Sequence, residues 1–518
     1  MQPIITSSKR NRAAKAAFFA GAAALAACAP SARAQSSVDA LLNKLEQKGI
    51  LTVDEANELK AQSAADETNI VNELPASKWK LADSIKSIDL FGDLRLRYEY
   101  RGVNNPTPGN ASLTGATGNT YARERFRYAL RFGLRGDLFD DFNYGIRLET
   151  SANPRSPWVT FADDTGKSST SPLSGTPSDK SSDGLNIGQV YLGWHPAAWY
   201  EMTVGKMPMP LYTTPMVWDS DISPEGAFEK FKYTIDNVEL FADFGQFDYQ
   251  DPNPASALPS SDTFLLAWQA GVNVKLGRDM SAKIAPVVYN YTGQGNSPLP
   301  GTTPNPMSPN SPFVGQPSPN GLNGQYNQAG INNLFILEIP AEFDFKIKKT
   351  PLGDLQARLF GDFAYNFDGD ARAGAAYQAQ PGAFPGMNGP ATGQDIAYQV
   401  GFGIGSAGPV YGPTQGLVYG SASKKKTWEA RVYWQHVEQY ALDVNLIDSD
   451  FFEGRANLQG IYSSFAYSFT DAIIGTIRYG YANRINDSLG TGGNNLDIPG
   501  INPIENYQLV QLDLTWRF

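Results

Sequence analysis

The most distinctive polar residues of this chain are arginines at alternating positions. In segment 125–135, four odd-numbered residues are arginine, and every even-numbered residue is aromatic or aliphatic. A β-strand points successive side chains to opposite faces, so this segment predicts one arginine face and one apolar face. Along the wall of a water-filled channel, such arginines would attract anions and order solute dipoles. The predicted pore-lining residues are Arg95, Arg97, Arg125, Arg127, Arg131, Arg135 and Arg147.

Acidic residues lie close to these arginines in the sequence, and two interpretations stay open. Either the arginines keep a positive field along the wall, or nearby carboxylates neutralise them. The candidate neutralising acids are Asp93, Glu99, Glu124 and Glu149.

A second group of charged residues lies in a Pro- and Gly-bounded segment after the fifth predicted strand. Asp219, Asp221 and Glu225 would face the arginines if this loop folds inward, creating a transverse field at a constriction. Their spacing also suggests a calcium loop, but the full Asp-rich pattern with its glycine is missing. We therefore expect no metal and no cofactor, and we interpret Trp218 as a packing anchor for the loop.

Catalytic motifs do not emerge from the sequence. The two histidines, His195 and His436, are far apart, and neither lies near a serine and an aspartate in a recognisable spacing. Phosphate-binding loops, dinucleotide fingerprints and metalloprotease helices are also absent. We expect a protein that is not an enzyme, with no catalytic residues.

The segment 510–518 predicts the element that closes the fold. Val510, Leu512, Leu514, Trp516 and Phe518 are apolar, and the residues between them are polar or charged. This period of two predicts a strand with one apolar face. A last strand ending in Phe is typical of bacterial outer-membrane barrels, so Trp516 and Phe518 are the predicted barrel-closing signal.

Alternation of this kind recurs along the chain and predicts a transmembrane antiparallel β-barrel of all-β class. We predict about sixteen strands, with fourteen or eighteen still possible. The predicted strands are 89–100, 121–138, 142–151, 185–195, 199–207, 228–234, 237–245, 263–276, 280–291, 333–346, 354–366, 394–404, 426–438, 456–468, 472–484 and 506–518.

The connections between these strands alternate between short and long. Short periplasmic turns and long extracellular loops are the pattern of outer-membrane barrels. Segment 405–425 is the exception, because it is long and Gly-rich where a short turn is expected.

The N-terminus is predicted to be a signal peptide, residues 1–34. A basic stretch precedes the apolar segment 16–27, and Ala32-Arg33-Ala34 is a typical cleavage site. The alternative is a lipobox ending at Cys28, which would be lipidated. Because Cys28 is the only cysteine, cleavage after Ala34 would exclude disulfides and thiolate metal sites.

Residues 35–80 are predicted to form a periplasmic helical hairpin and a linker, with residues 81–518 forming the barrel. Val38, Leu41 and Leu45 follow helical spacing, and Thr52 to Glu55 is a capping box for a second helix.

Composition is consistent with an exported soluble protein and with a membrane barrel. The chain has 28 Phe, 25 Tyr and 9 Trp, yet its mean hydropathy is −0.33. In a barrel only alternate residues meet lipid, so hydropathy stays low. Removing the five basic residues of the signal segment from the formal charge of −10 leaves −15, which makes nucleic acid an unexpected partner.

Several motifs resemble one family, the putative porins of Gram-negative-type bacteria. The segment 45–56 resembles the helical opening of that family, and 92–98 resembles its first strand. Gly205 to Pro208 followed by 218–226 resembles its W-D-x-D-x-x-P-E-G loop, and 448–451 its D-S-D-F stretch. The likeness extends from about residue 38 to the C-terminus.

The resemblance implies an outer-membrane porin through which small hydrophilic solutes and ions diffuse passively. The implied partners are outer-membrane lipid, the permeating solutes and ions, and the barrel-insertion machinery, with a homotrimer left open. The alternatives are a structural or adhesive barrel with an occluded lumen and, less favoured, an outer-membrane hydrolase.

Overall fold

The structure is a computed structural model. It describes residues 82, 84–104, 120–151, 156–161, 184–250, 263–292, 334–379, 389–406, 425–491, 497–498 and 503–518. The predicted signal peptide, Cys28, helical hairpin and linker lie outside the described residues, as does most of segment 405–425. The chain divides into two units, Met1–Ser84 and Ile85–Phe518, and the second contains the strands.

The second unit is built almost entirely from strands. Its single described α-helix is α1 (Gly369–Ala379), and a short 3-10 turn covers Phe452–Gly454. The strands are β1 (Asp89–Asn104), β2 (Thr120–Asp137), β3 (Phe142–Thr150), β4 (Val159–Thr160), β5 (Leu185–Ala197), β6 (Tyr200–Lys206), β7 (Glu225–Ile235), β8 (Val238–Gln250), β9 (Thr263–Lys275), β10 (Met280–Ile284), β11 (Val287–Thr292), β12 (Phe335–Glu338), β13 (Ala341–Thr350), β14 (Gly353–Asn366), β15 (Ile396–Gly405), β16 (Trp428–Val437), β17 (Leu458–Ser468), β18 (Ile473–Arg484) and β19 (Asn506–Arg517).

These strands close into a barrel. Each wall strand pairs antiparallel with its neighbours in the chain, and β1 also pairs with β19 from Asp93↔Arg517 to Asn104↔Asn506. Closure leaves no free sheet edge, which is the condition for a strand structure in lipid.

The wall contains sixteen strands, as predicted from the sequence. The two-residue β4 only extends the wall beside β2. β10 and β11 form one strand interrupted at residues 285–286, and β12 and β13 form one strand interrupted at 339–340. Pro286 and Pro340 lie at the two interruptions, where a residue without an N–H cannot donate to the ladder.

The outer face of the barrel is apolar, because alternate residues of each strand point outward. Leu96, Phe126, Ile461 and Leu512 are exposed there, as expected for side chains that meet lipid. Val510, Leu512, Leu514 and Trp516 share this face of β19, so the predicted parity of that strand is confirmed.

The main apolar core lies inside the barrel. It is formed by inward residues of the strands and by two inward loops, which we call the first loop (residues 207–224) and the second loop (residues 438–457). The first loop contributes Leu211, Met216 and Trp218, and the second contributes Leu446 and Phe451. Each large side chain buried in this way stabilises the loops by about 1.5–3 kcal/mol.

Among the described residues, no helix is long and apolar enough to cross a membrane.

Candidate functional site: the charged lumen and its two inward loops

The predicted arginines lie on the inner face of β1, β2 and β3. Strand alternation places Leu96 and Phe126 on the outer face and Arg97, Arg125 and Arg127 on the inner one. Arg97 and Arg127 are direct neighbours across the ladder. Two positive charges that face each other need nearby negative charges. Carboxylates of the wall and of the inward loops supply most of these.

Six of the inward arginines share four carboxylates in one network, which we call the arginine network. Arg97 contacts Asp513 at 2.8 Å and Asp450 at 2.6 Å, and Arg101 contacts Glu99 at 3.0 Å. The arginines are Arg97, Arg101, Arg123, Arg125, Arg127 and Arg478. The carboxylates are Glu99, Asp450, Asp497 and Asp513.

The remaining predicted arginines lie between this network and the short-turn end of the barrel. Arg131 pairs with Asp221 of the first loop, and Arg147 contacts Glu149 at 2.9 Å. Arg95 pairs with Asp93. Arg135 is exposed to the lumen, and its guanidinium lies 4.9 Å from the ring centroid of Phe91.

Of the four acids considered as neutralising groups, three contact arginines and one does not. Asp93, Glu99 and Glu149 contact arginines. Glu124 does not, because it has outward parity and accepts a hydrogen bond from the Tyr98 hydroxyl. Additional counter-charges come from loop residues distant in sequence, Asp221, Asp450 and Asp497.

The first loop crosses the lumen and is fixed to the wall opposite the arginines. The backbone N–H and C=O of Tyr212 bond to the side-chain amide of Gln269 on β9, both at 2.8 Å. The Thr213 hydroxyl donates to Glu338 on β12 at 2.6 Å, and the Thr214 hydroxyl donates to Asp362 on β14. These contacts hold the loop inside the barrel.

The three acids predicted in this loop occupy different places. Asp221 lies against Arg131, and Asp219 is buried at the contact with the second loop. Glu225 is the first residue of β7; its exposed side chain pairs with Lys206 at 2.9 Å. The structure therefore brings Asp219 and Asp221 into the lumen and leaves Glu225 apart from them.

The two inward loops contact each other through the motifs singled out in the sequence. The hydroxyl of Ser449 donates to Asp219 Oδ2 at 2.9 Å, and the Asp448 N–H donates to the Pro215 carbonyl at 3.0 Å. The W-D-x-D loop and the D-S-D-F stretch thus form one interface. Gly480 on β18 makes room for it, since a Cβ there would lie 2.7 Å from the Phe451 ring.

The pKa values of the carboxyl groups at this interface are shifted in opposite directions. Burial, followed by repulsion from Asp221 and Asp448, raises the pKa of Asp219 well above its usual value. Burial and repulsion from Asp450 raise the pKa of Asp448 to about 7. Burial opposes ionisation of Asp450 also, but Arg97, Arg478 and Arg101 lower its pKa.

A third segment, residues 156–161, lies against the arginine network. The Arg97 guanidinium lies 3.9 Å from the ring centroid of buried Trp158, and Arg127 lies 5.8 Å from it. A tryptophan ring attracts cations over its face, so Trp158 supports charges that carboxylates do not fully balance.

Two cavities lie at the end of the barrel with the short turns. One of about 450 Å³ is lined by Arg135, Tyr191 and Met207 among others, and one of about 560 Å³ is lined by His195, Trp199 and Lys230 among others. These cavities form a polar vestibule below the first loop.

Sequence reasoning missed several residues of the site. Arg101 and Arg478 obey the same alternation as the predicted arginines and could have been found from it. Trp158 and the lumenal role of Asp450 and Asp497 had no comparable signal, because loop residues follow no strand period.

The histidines remain separate from the arginine network. His195 lies near the short-turn end, 3.4 Å from Asn143, and His436 stacks on Tyr398 on the outer face. In the part of the chain that the structure describes, no three His, Cys, Asp or Glu side chains are grouped to hold a metal.

Several solved structures are similar to this chain at low identity. The outer membrane channel DcaP of Acinetobacter baumannii is 13% identical, with a TM-score of 0.37, and the match covers 86% of this chain and 100% of that one. An anion-selective porin from Comamonas acidovorans is 10% identical, with a TM-score of 0.37, over 83% of this chain and 99% of that one. OmpT of Vibrio cholerae is 10% identical, with a TM-score of 0.37, over 84% and 100%. These likenesses are too distant to argue for a solute.

Comparison of the sequence alone identifies a family for part of the chain. No curated protein matches the chain. The family described as "Putative porin" matches residues 67–309, a region that includes the first strands, their arginines and the first loop. The match confirms the resemblance to this family over residues 67–309, whereas the motif segments 45–56 and 448–451 lie outside it. Over residues 67–309 the chain therefore matches the Putative porin family, and its closed barrel is that of a bacterial outer-membrane protein.

Proposed function

We propose that this protein is a porin whose channel passes small hydrophilic solutes and ions by passive diffusion, without catalysing a reaction. The observation that carries the proposal is a closed barrel of sixteen strands whose inner face carries charged residues, including the arginine network on β1, β2 and β18. Sixteen strands enclose enough space for an aqueous channel, whereas about eight strands fill with side chains.

The conducting path is proposed to run beside the arginine wall, not along the barrel axis. The two inward loops and their apolar core lie inside the barrel. Beside the arginines, Asp450 and Asp497 keep 20% and 19% of their side-chain surface exposed, and Arg123 keeps 30%. Partly exposed charges of both signs support a narrow wet passage on that side.

The test is electrical recording of the purified protein in planar lipid bilayers. We expect discrete ohmic steps in potassium chloride, with a conductance lower than an empty barrel of the same strand number would give. Swelling of liposomes in small sugars would show that uncharged solutes pass as well. A protein that inserts, resists heat as a folded barrel and never conducts would contradict the proposal.

The second candidate is an occluded structural or adhesive barrel. The apolar core inside the lumen favours it, because Leu211, Met216, Leu446 and Phe451 exclude water from the axis. The bilayer recording separates the two candidates directly. Recognition of Trp516 and Phe518 by the insertion machinery and assembly as a homotrimer stay predictions.

A further inference from the structure

The arginine network carries more positive than negative charge. Within the described part of the chain it joins six arginines to four carboxylates through contacts of 4.0 Å or less, so two positive charges are in surplus when all groups are ionised. A buried charge without a counter-charge is strongly unfavourable, so the surplus must be balanced by water or by another ion.

Water balances one of the two surplus charges. Arg123 keeps 30% of its side-chain surface exposed, and it also donates to the backbone carbonyl of Asp497. The other five arginines of the network are buried. The second surplus charge therefore belongs to a residue that water reaches poorly.

Arg127 is that residue. Its nearest carboxylate oxygen is Glu99 Oε2 at 3.7 Å, and Glu99 already binds Arg101 at 3.0 Å and Gln511 at 2.9 Å. Among the residues that the structure describes, its single hydrogen bond runs from Nη2 to the Trp158 carbonyl at 3.4 Å, and its Nε has no partner there. Among the described residues, the other buried arginines of the network each have a carboxylate oxygen within 3.0 Å.

We infer that Arg127 forms a binding site for one small monovalent carboxylate taken up from the lumen solution. Carboxylate oxygens match the guanidinium fork and form short charge-assisted hydrogen bonds with it. Trp158 and Glu99 bound the site and restrict it to a small ligand. The repulsion of Glu99 also disfavours a second negative charge on the ligand. The inference deepens the proposed function, because the anion must reach the network through the channel.

The experiment is calorimetric titration of acetate into the purified, detergent-folded full chain at low ionic strength. We expect one weak site per chain, and we expect Arg127→Gln to lower the affinity by about tenfold or more, since a charge-assisted pair is lost. Arg135→Gln is the matched control. It removes the same charge from the lumen at an exposed position over Phe91, so the affinity should change by less than about twofold at fixed ionic strength.

The outcomes separate this inference from the proposed function. No acetate binding by the wild type, or equal binding by Arg127→Gln, overturns the inference. If Arg127→Gln does not fold, Arg127→Lys keeps the charge without the fork and should bind acetate more weakly than the wild type; undiminished binding by that variant overturns the inference. Ohmic steps in potassium chloride without acetate binding leave the porin proposal intact, whereas acetate binding without any current contradicts the porin proposal alone.

Discussion

The two sides of the lumen hold the inward loops by different means. On the side of β1, β2 and β19, arginines bind loop carboxylates such as Asp450 and Asp221. On the side of β9, β12 and β14, Gln269, Glu338 and Asp362 hold the first loop by hydrogen bonds beside an apolar core. One side therefore binds the loops through ion pairs and is partly exposed, and we call it the charged side. The other side holds the first loop by hydrogen bonds beside the apolar core, and we call it the sealed side. A solute would follow the charged side.

The largest effect is expected from loosening the sealed side. Trp218 is buried in the core, its Nε1 donates to the Ile222 carbonyl at 2.9 Å, and its ring contacts Phe247. Trp218→Ala should destabilise the packing of the first loop by about 3–5 kcal/mol, as large-to-small core substitutions do. We expect a severalfold larger and noisier single-channel conductance.

The control for this substitution is Trp268→Ala, on the outer face of β9, where the side chain is 41% exposed. Its conductance should match that of the wild type. An unchanged conductance for Trp218→Ala would mean that the core does not narrow the passage.

The next effect concerns the charged side. Asp450→Asn keeps the shape of the side chain but removes a counter-charge from Arg97 and Arg101. Breaking a buried ion pair costs about 3–5 kcal/mol, reduced here because Asp450 is partly exposed. Hydrogen exchange of the second loop should accelerate.

Asp487→Asn is the matched control, because its carboxylate is 83% exposed and lies 3.4 Å from Arg484. That variant should exchange like the wild type. Equal protection of the second loop in both variants would show that the ion pairs do not anchor it.

The interface between the two loops should respond to pH. Because the pKa of Asp448 is raised to about 7 and that of Asp219 is also raised, the folded contact binds more protons than the separated loops. Stability that depends on these protons is present at low pH and is lost as pH rises through about 7. We expect lower hydrogen-exchange protection factors, corrected for the base-catalysed intrinsic rate, in both loops at pH 8 than at pH 5.5.

Asp448→Asn should remove much of this pH dependence, whereas Glu124→Gln on the outer face should preserve it. The pKa of Asp450 is lowered, so Asp450 stays ionised throughout this window. Higher protection factors at pH 8 than at pH 5.5 would reverse the sign and contradict the assignment.

The smallest effect is expected on ion selectivity. Arg131→Gln should move the reversal potential toward cations, and Asp221→Asn should move it toward anions, because the two groups are paired in the lumen. Charges 4–6 Å from a permeating ion interact by roughly 1–4 kcal/mol near a wet surface. Salt near 1 M screens charges beyond about 3 Å, so both shifts should shrink there.

A variant that combines Arg131→Gln with Asp221→Asn tests whether the two shifts have a common origin. Removing both partners should return the reversal potential close to the wild-type value. If neither single variant shifts it while the channel conducts, Arg131 and Asp221 do not line the path.

Much of the wall could be predicted from alternation alone. All sixteen strands and the inward parity of Arg97 and Arg127 follow from a period of two, because lipid on one side enforces it. The interruptions at Pro286 and Pro340 each divide one predicted strand into two short ones, and they do not change the number of strands in the wall.

The interior was less predictable for a physical reason. Arg97 and Asp450 are separated by 353 residues, and only the folded loops bring them together. Inward folding of the first loop was considered as a condition for a constriction, but the contact of this loop with the second loop has no periodic signal. Glu225 illustrates the same limit, since the boundary between loop and strand decides its place.

The bond between Arg97 and Asp513 joins residues 416 positions apart, on the two strands that close the barrel. The arginine network is therefore incomplete until β19 reaches β1. Contacts of such long sequence separation form slowly, because a large loop must close before any of them is gained. Until that moment Arg97 faces Arg127 across the ladder without Asp513, so an unclosed sheet carries unbalanced charge. Closure and neutralisation should thus occur as one cooperative folding step, with few stable half-closed intermediates.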